Sequence, residues 1–87
     1  MLSNSLALVT GSAQRLGKAF ARTLARMVYS IALHYRGSVT EAEKTTAEIR
    51  ALGVDCLPIR ADLTVPDKIE FLFSMVDEFH LPLKVVV

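Results

Sequence analysis

The 87-residue sequence has no tryptophan, one cysteine, three prolines and four glycines, and each scarcity closes off a class of protein. With Cys56 as the sole thiol, no disulfide framework can form within the chain, and a reduced, buried thiol is expected. His34 and His80 have no second His or Cys at ligand spacing, so no metal site is expected. Apolar runs stay well short of the roughly 18 residues of a membrane span. The opening Met1-Leu2-Ser3-Asn4-Ser5 lacks the basic and long apolar regions of a signal peptide, and a cytoplasmic protein with no membrane partner is expected. Net charge is only +1, and without a basic tract or basic amphipathic helix there is no electrostatic footing for nucleic acid. Repeats, low-complexity stretches and linkers are also missing, so residues 1–87 read as one unit.

Against these absences stands an apolar content of 52%. That is high for so short a chain and predicts a core meant to be covered by more protein than these residues supply. Leu6 to Val9 reads as a strand buried on both faces. A helix follows from Arg15 to about Met27, with Leu16, Phe20, Leu24 and Met27 as its apolar face and Ala19 and Thr23 widening it. Ser30 to Tyr35 is a second strand. Val39 or Thr40 then opens a second helix to about Leu52, with Thr40 as a plausible N-cap, Gly53 as its stop, and Ala42, Thr46, Ile49 and Leu52 inward. Val54 to Ile59 forms a third strand. Pro66 suits the first turn of a third helix carrying Ile69, Leu72, Phe73, Val76 and Phe79 on one side. Lys84 to Val87 begins a fourth strand after Pro82. The alternation β-α-β-α-β-α-β predicts a Rossmann-like, doubly wound α/β fold with a parallel sheet. With right-handed crossovers and strand order 3-2-1-4, the first two helices share one face and the third lies alone on the other.

The stretch Leu6 to Ala19 carries the chemistry, because a buried strand runs through a glycine turn into a helix start. Gly11 allows the sharp turn, Gly17 permits close approach, and amides at the helix start would face a dinucleotide pyrophosphate. A nucleotide-triphosphate P-loop is excluded. It needs four residues between its glycines and a hydroxyl residue after its lysine, whereas five residues separate Gly11 from Gly17 and Ala19 follows Lys18. The G-x-G-x-x-G spacing fails as well, with Ala13 at its second glycine.

Thr10-Gly11-Ser12-Ala13-Gln14-Arg15-Leu16-Gly17 resembles the T-G-x-x-x-G-x-G loop of the short-chain dehydrogenase/reductase family, with Arg15 replacing the middle glycine. That variant is similar to the pteridine reductases and related NADPH-dependent reductases, where the arginine binds cofactor phosphate. Gly11, Ser12, Arg15, Leu16 and Gly17 are thereby implied as cofactor contacts. At the end of the second strand, His34-Tyr35-Arg36-Gly37-Ser38 has no acid before Glu41. An acid there would hold an adenosine ribose and repel a 2′-phosphate, whereas Arg36 offers a guanidinium fork and Ser38 a hydroxyl. NADP(H) is therefore the expected cofactor, although Arg36 also suits a merely exposed position. The resemblance implies Tyr35, Arg36 and Ser38 at the 2′-phosphate, and Gly37 departs from the most basic versions of that segment. Ala61-Asp62-Leu63 matches the element in which the family's aspartate accepts from the adenine amino group while its neighbours line the base. Asp62 also suits a turn role entering the third helix, and the two roles can coexist.

The family's asparagine-glycine motif and its reducing Ser, Tyr and Lys have no counterpart here. Tyr29 and Tyr35 are the only tyrosines and neither has a lysine four residues on, so no catalytic residue is assigned. The resemblance implies the amino-terminal, cofactor-binding portion of an NADPH-dependent oxidoreductase for a carbonyl or pterin-type small molecule, truncated before its catalytic half, with a homo-oligomeric parent. The other reading is a non-catalytic remnant or an NADP-binding or interaction module. One further departure concerns the turn before the second strand. Family members commonly place a glycine there, but this chain has Arg26-Met27-Val28-Tyr29, and a left-handed Val28 would carry strain.

Overall fold

A computed structural model describes residues 5–11 and 15–87, without the side chain of Arg15. The elements are β1 (Leu6–Val9), α1 (Arg15–Arg26), β2 (Ser30–Tyr35), α2 (Val39–Arg50), β3 (Cys56–Arg60), α3 (Pro66–Asp77) and β4 (Leu83–Val86). The strands form one parallel sheet in the order β3-β2-β1-β4, as expected. All four residues of β1 are buried. Ala7 and Val9 face a cluster with Ala21 and Ala25 of α1 and Ala42 and Ile49 of α2. Leu6 and Leu8 face the opposite cluster with Leu72 and Val76 of α3. The alternation of side chains along a strand thus gives β1 a helix layer on each side.

Several local expectations change. The stripe Leu16, Phe20 and Met27 is not the inward face of α1, for these residues are 68%, 43% and 62% exposed. Ala19 and Thr23 are exposed too. The helix meets the sheet through Ala21 and Ala25, with Leu24 and Val28 partly buried beside them. Small residues let the two backbones come close, and the larger ones are turned outward. In α2, Thr45 joins Ala42, Thr46 and Ile49 inside, while Leu52 lies past the helix end and is exposed. The cap of α2 is Ser38, not Thr40. Ser38 has extended backbone and its Oγ accepts the Glu41 N–H at 3.2 Å, whereas Thr40 already lies inside the first turn. β3 begins at Cys56 rather than Val54, with pairing entered through the Ile31 N–H donating to the Asp55 carbonyl. β4 begins one residue early, at Leu83. Pro66 opens α3 as expected, but only Leu72 and Val76 of its helical residues are fully buried, and Ile69 and Phe73 stay exposed because no second helix flanks α3 among the described residues.

Each helix ends in a left-handed residue before the next strand: Val28 (φ 69°), Gly53 (φ 92°) and His80 (φ 53°). After α1 the turn closes with the Val28 N–H donating to Ala25 and the Tyr29 N–H to Leu24, the paired bonds that a left-handed residue makes possible. Gly53 takes this conformation without a Cβ penalty, whereas Val28 does not. Replacing Val28 by Ala or by Gly removes its two methyl groups from the core in both cases, but only Gly, which has no Cβ, relieves the strain. Val28→Gly should therefore unfold at higher denaturant than Val28→Ala, by about 1 kcal/mol. Equal stability of the two variants would show that Val28 is unstrained.

Candidate functional site

The carboxyl ends of β1, β2 and β3 release the chain into three turns lying side by side, the position at which open parallel sheets bind ligands. From β1 come Thr10 and Gly11. The Thr10 hydroxyl and amide both donate to the Val87 carbonyl, at 2.7 and 2.8 Å, which ties the turn to the chain after β4. Gly11 is exposed with φ 59°, and the space where a Cβ would stand is open. Ser12 and the Arg15 side chain lie outside the described residues. Leu16 is exposed at the start of α1, and Gly17 follows it.

From β2 come Tyr35, half-buried, and Arg36, whose side chain is 71% exposed. Ser38 stands at the start of α2, where its oxygen is engaged as the cap. From β3 come Ala61, Asp62 and Leu63. One carboxylate oxygen of Asp62 accepts the Thr64 N–H at 3.0 Å and the Thr64 hydroxyl at 2.7 Å, so the turn role considered for Asp62 is real. The other oxygen lies 3.8 Å from the Arg36 guanidinium. Leu63 packs at the edge of the α3-side cluster.

Arg36, Arg60, Ala61, Asp62 and Lys68 line a cleft of about 400 Å³. Arg60 is the last residue of β3 and Lys68 stands in the first turn of α3. Sequence reasoning did not assign either. The usable signal was the position of Arg60 two residues before Asp62 at a strand end and of Lys68 two residues after Pro66. Three cations around one carboxylate make the cleft attractive to a polyanion while leaving one acceptor for an amino group. A second hollow of about 300 Å³, beside Arg50, Asp55 and Cys56, lies at the other end of β3. Its arginine is engaged on the Cys56 carbonyl, and burial pushes the Cys56 thiol up to about 11, which makes it a poor nucleophile.

His34 also went unassigned at the sequence level. It is 5% exposed, with Nδ1 accepting the Gly11 N–H at 3.1 Å and Nε2 lying 2.8 Å from the Ala61 carbonyl. A histidine in an otherwise apolar strand must find polar partners when buried, and that requirement was the available signal.

A family model described as short chain dehydrogenase matches residues 5–87. The 3-oxoacyl-acyl-carrier-protein reductase FabG of Staphylococcus epidermidis is 36% identical over 77 residues, covering 87% of this chain and 32% of that protein. A Burkholderia cenocepacia structure described as a dehydrogenase with bound NADP superposes with a TM-score of 0.81 at 33% identity, over 87% of this chain and 30% of that one. The promiscuous reductase LugOII, which catalyses keto-reduction at C1 during lugdunomycin biosynthesis, matches with a TM-score of 0.76 at 38% identity, over 83% of this chain and 31% of its own. The chain spans about a third of the length of these relatives.

The hydroxyl of Thr64 and then its amide hold the Asp62 carboxyl below its usual range, with burial opposing them and the charge of Arg36 adding least. A depressed folded value means that the ionised form stabilises the fold. That contribution is complete above the ordinary aspartate value of about 3.9 and is lost as pH falls through the folded one. Thr64→Val removes the hydroxyl donor and keeps the amide, so the Asp62 titration followed by carboxyl-carbon NMR should move upward. An unmoved titration would show that the hydroxyl bond is not made in solution.

Proposed function

This chain belongs to the short-chain dehydrogenase family, and from that premise we propose that it is the NADP(H)-binding portion of a reductase acting on a carbonyl-class small molecule. The observation that carries the proposal is the cleft in which Arg36, Arg60 and Lys68 surround Asp62, three cations to one carboxylate, beside an end of β2 that has no acid before Glu41. In this reading Arg36 takes the phosphate as a fork, with Arg60, Lys68 and the Ser38 hydroxyl adding charge and a donor. The Asp62 oxygen not engaged by Thr64 accepts from the adenine amino group, Leu63 lines the base, and Tyr35 joins Arg36 and Ser38 at the 2′-phosphate. The Arg36–Asp62 contact of 3.8 Å is long and exposed, so opening it costs little. Gly11, with open space at its Cβ position, Ser12, Arg15, Leu16 and Gly17 attend the pyrophosphate, helped by the helix start.

NADPH supplies the hydride when bound. No Tyr-x-x-x-Lys occurs among these 87 residues, and no proton donor is assigned within them. The reductions named for FabG and LugOII support a keto substrate. The Arg15-containing loop and the His34-Tyr35-Arg36 segment keep a pterin-type substrate as the narrower alternative. Cytoplasmic residence and a homo-oligomeric parent belong to the same proposal. Among the described residues no helix is long and apolar enough to cross a membrane.

NADPH should raise the melting temperature of the purified chain more than NADH does at equal concentration. Arg36→Ala should weaken NADPH about tenfold and leave NADH nearly unchanged. Equal shifts by the two cofactors, or an unchanged NADPH affinity in the variant, would reject the 2′-phosphate assignment.

A further inference from the structure

We infer that His34 is a positioning residue that locks the glycine turn after β1 to the turn after β3, and so fixes the relative placement of the two ends of the cofactor site; the link to cofactor rests on the reading proposed above. The two hydrogen bonds determine the state of the ring. A backbone carbonyl can only accept, so Nε2 carries the proton toward Ala61. A backbone amide can only donate, so Nδ1 presents its lone pair to Gly11. His34 is therefore neutral and held in one tautomer, assigned by its partners.

These contacts join residues 23 and 27 positions away from His34 in the sequence. Gly11 begins the loop that leads to α1, and Ala61 immediately precedes Asp62. The Ala61 N–H in turn donates to the Tyr35 carbonyl at 3.1 Å, so the β3 turn is held by backbone on one side and by the imidazole on the other. Thr10 is tied to Val87 on the opposite flank. The Gly11 amide is thus directed inward, toward the ring. An apolar side chain at position 34 would leave the buried Ala61 carbonyl without this partner, the costly case for polar groups, and the part-buried Gly11 amide facing an apolar group.

Asparagine places its amide oxygen near the position of Nδ1, and glutamine places its amide nitrogen near that of Nε2, so the two substitutions separate the ties. The test uses the isotope-labelled chain and reads three things: the ring-nitrogen shifts of His34, the exchange rate of the Gly11 amide, and the NADPH dissociation constant. The wild type should show the Nε2–H tautomer and a slowly exchanging Gly11 amide. His34→Asn should keep that amide slow yet, having lost the Ala61 tie, weaken NADPH about tenfold, while His34→Gln and His34→Leu should both speed its exchange and weaken NADPH about tenfold. If the leucine variant does not fold, His34→Gln carries the same expectation. An Nδ1–H tautomer in the wild type, a Gly11 amide equally protected in every variant, or full NADPH affinity in a folded variant that has lost either tie would overturn the inference. A wild-type chain with the Gly11 tie intact but no affinity for NADPH would support the tie and reject the cofactor reading alone.

Discussion

The double burial of β1 is the constraint on which the rest depends. A strand with apolar side chains on both faces and hydrogen-bonded neighbours on both edges has no freedom of register, since a slip of one residue would exchange its two helix layers. Leu6 and Leu8 belong to the α3 side, and Ala7 and Val9 to the side of α1 and α2. Thr10 and Gly11 therefore leave the sheet at a defined height between the ends of β2 and β4. The turns after β2 and β3 are set beside them by the registers Leu33 with Pro58 and Tyr35 with Arg60.

The large features of this arrangement were legible in the residues. An apolar run followed by Thr10-Gly11, alternation of helix and strand periods, and Pro66 at a helix start are local signals. Given strand order 3-2-1-4, the handedness of crossovers then assigns each helix to its face. The inward face of α1 was not legible in the same way, because hydrophobicity ranks Leu16, Phe20 and Met27 above Ala21 and Ala25, whereas helix–sheet distance selects for small size. The cleft was half legible. Arg36 and Asp62 lie in recognisable strand-end segments, but the approach of Arg60 and Lys68 to them depends on the register of β2 with β3 and on the path into α3. His34 illustrates the same limit, for its partners lie in two other turns and only the folded chain brings them together.

The apolar surface is distributed in a telling way. Leu16, Phe20 and Met27 on α1, Ile69 and Phe73 on α3, and Val86 on β4 are all exposed. The 52% apolar content is therefore only partly used by the contacts among the described residues. The cleft meets that surface at α3, where the Lys68 ammonium lies 5.9 Å from the ring centroid of the exposed Phe71.

The sheet divides its two ends between different demands. Left-handed residues at positions 28, 53 and 80 all sit where chains enter strands, while the ligand-facing turns sit where chains leave them. The six residues of β2 put roughly 20 Å between those ends, beyond the range over which the effects of substitutions ordinarily couple. Backbone tension at Val28 and His80 is thus stored out of reach of the cleft. Drift or design at the entry side can make the protein sturdier or frailer while ligand preference at the exit side stays as it was.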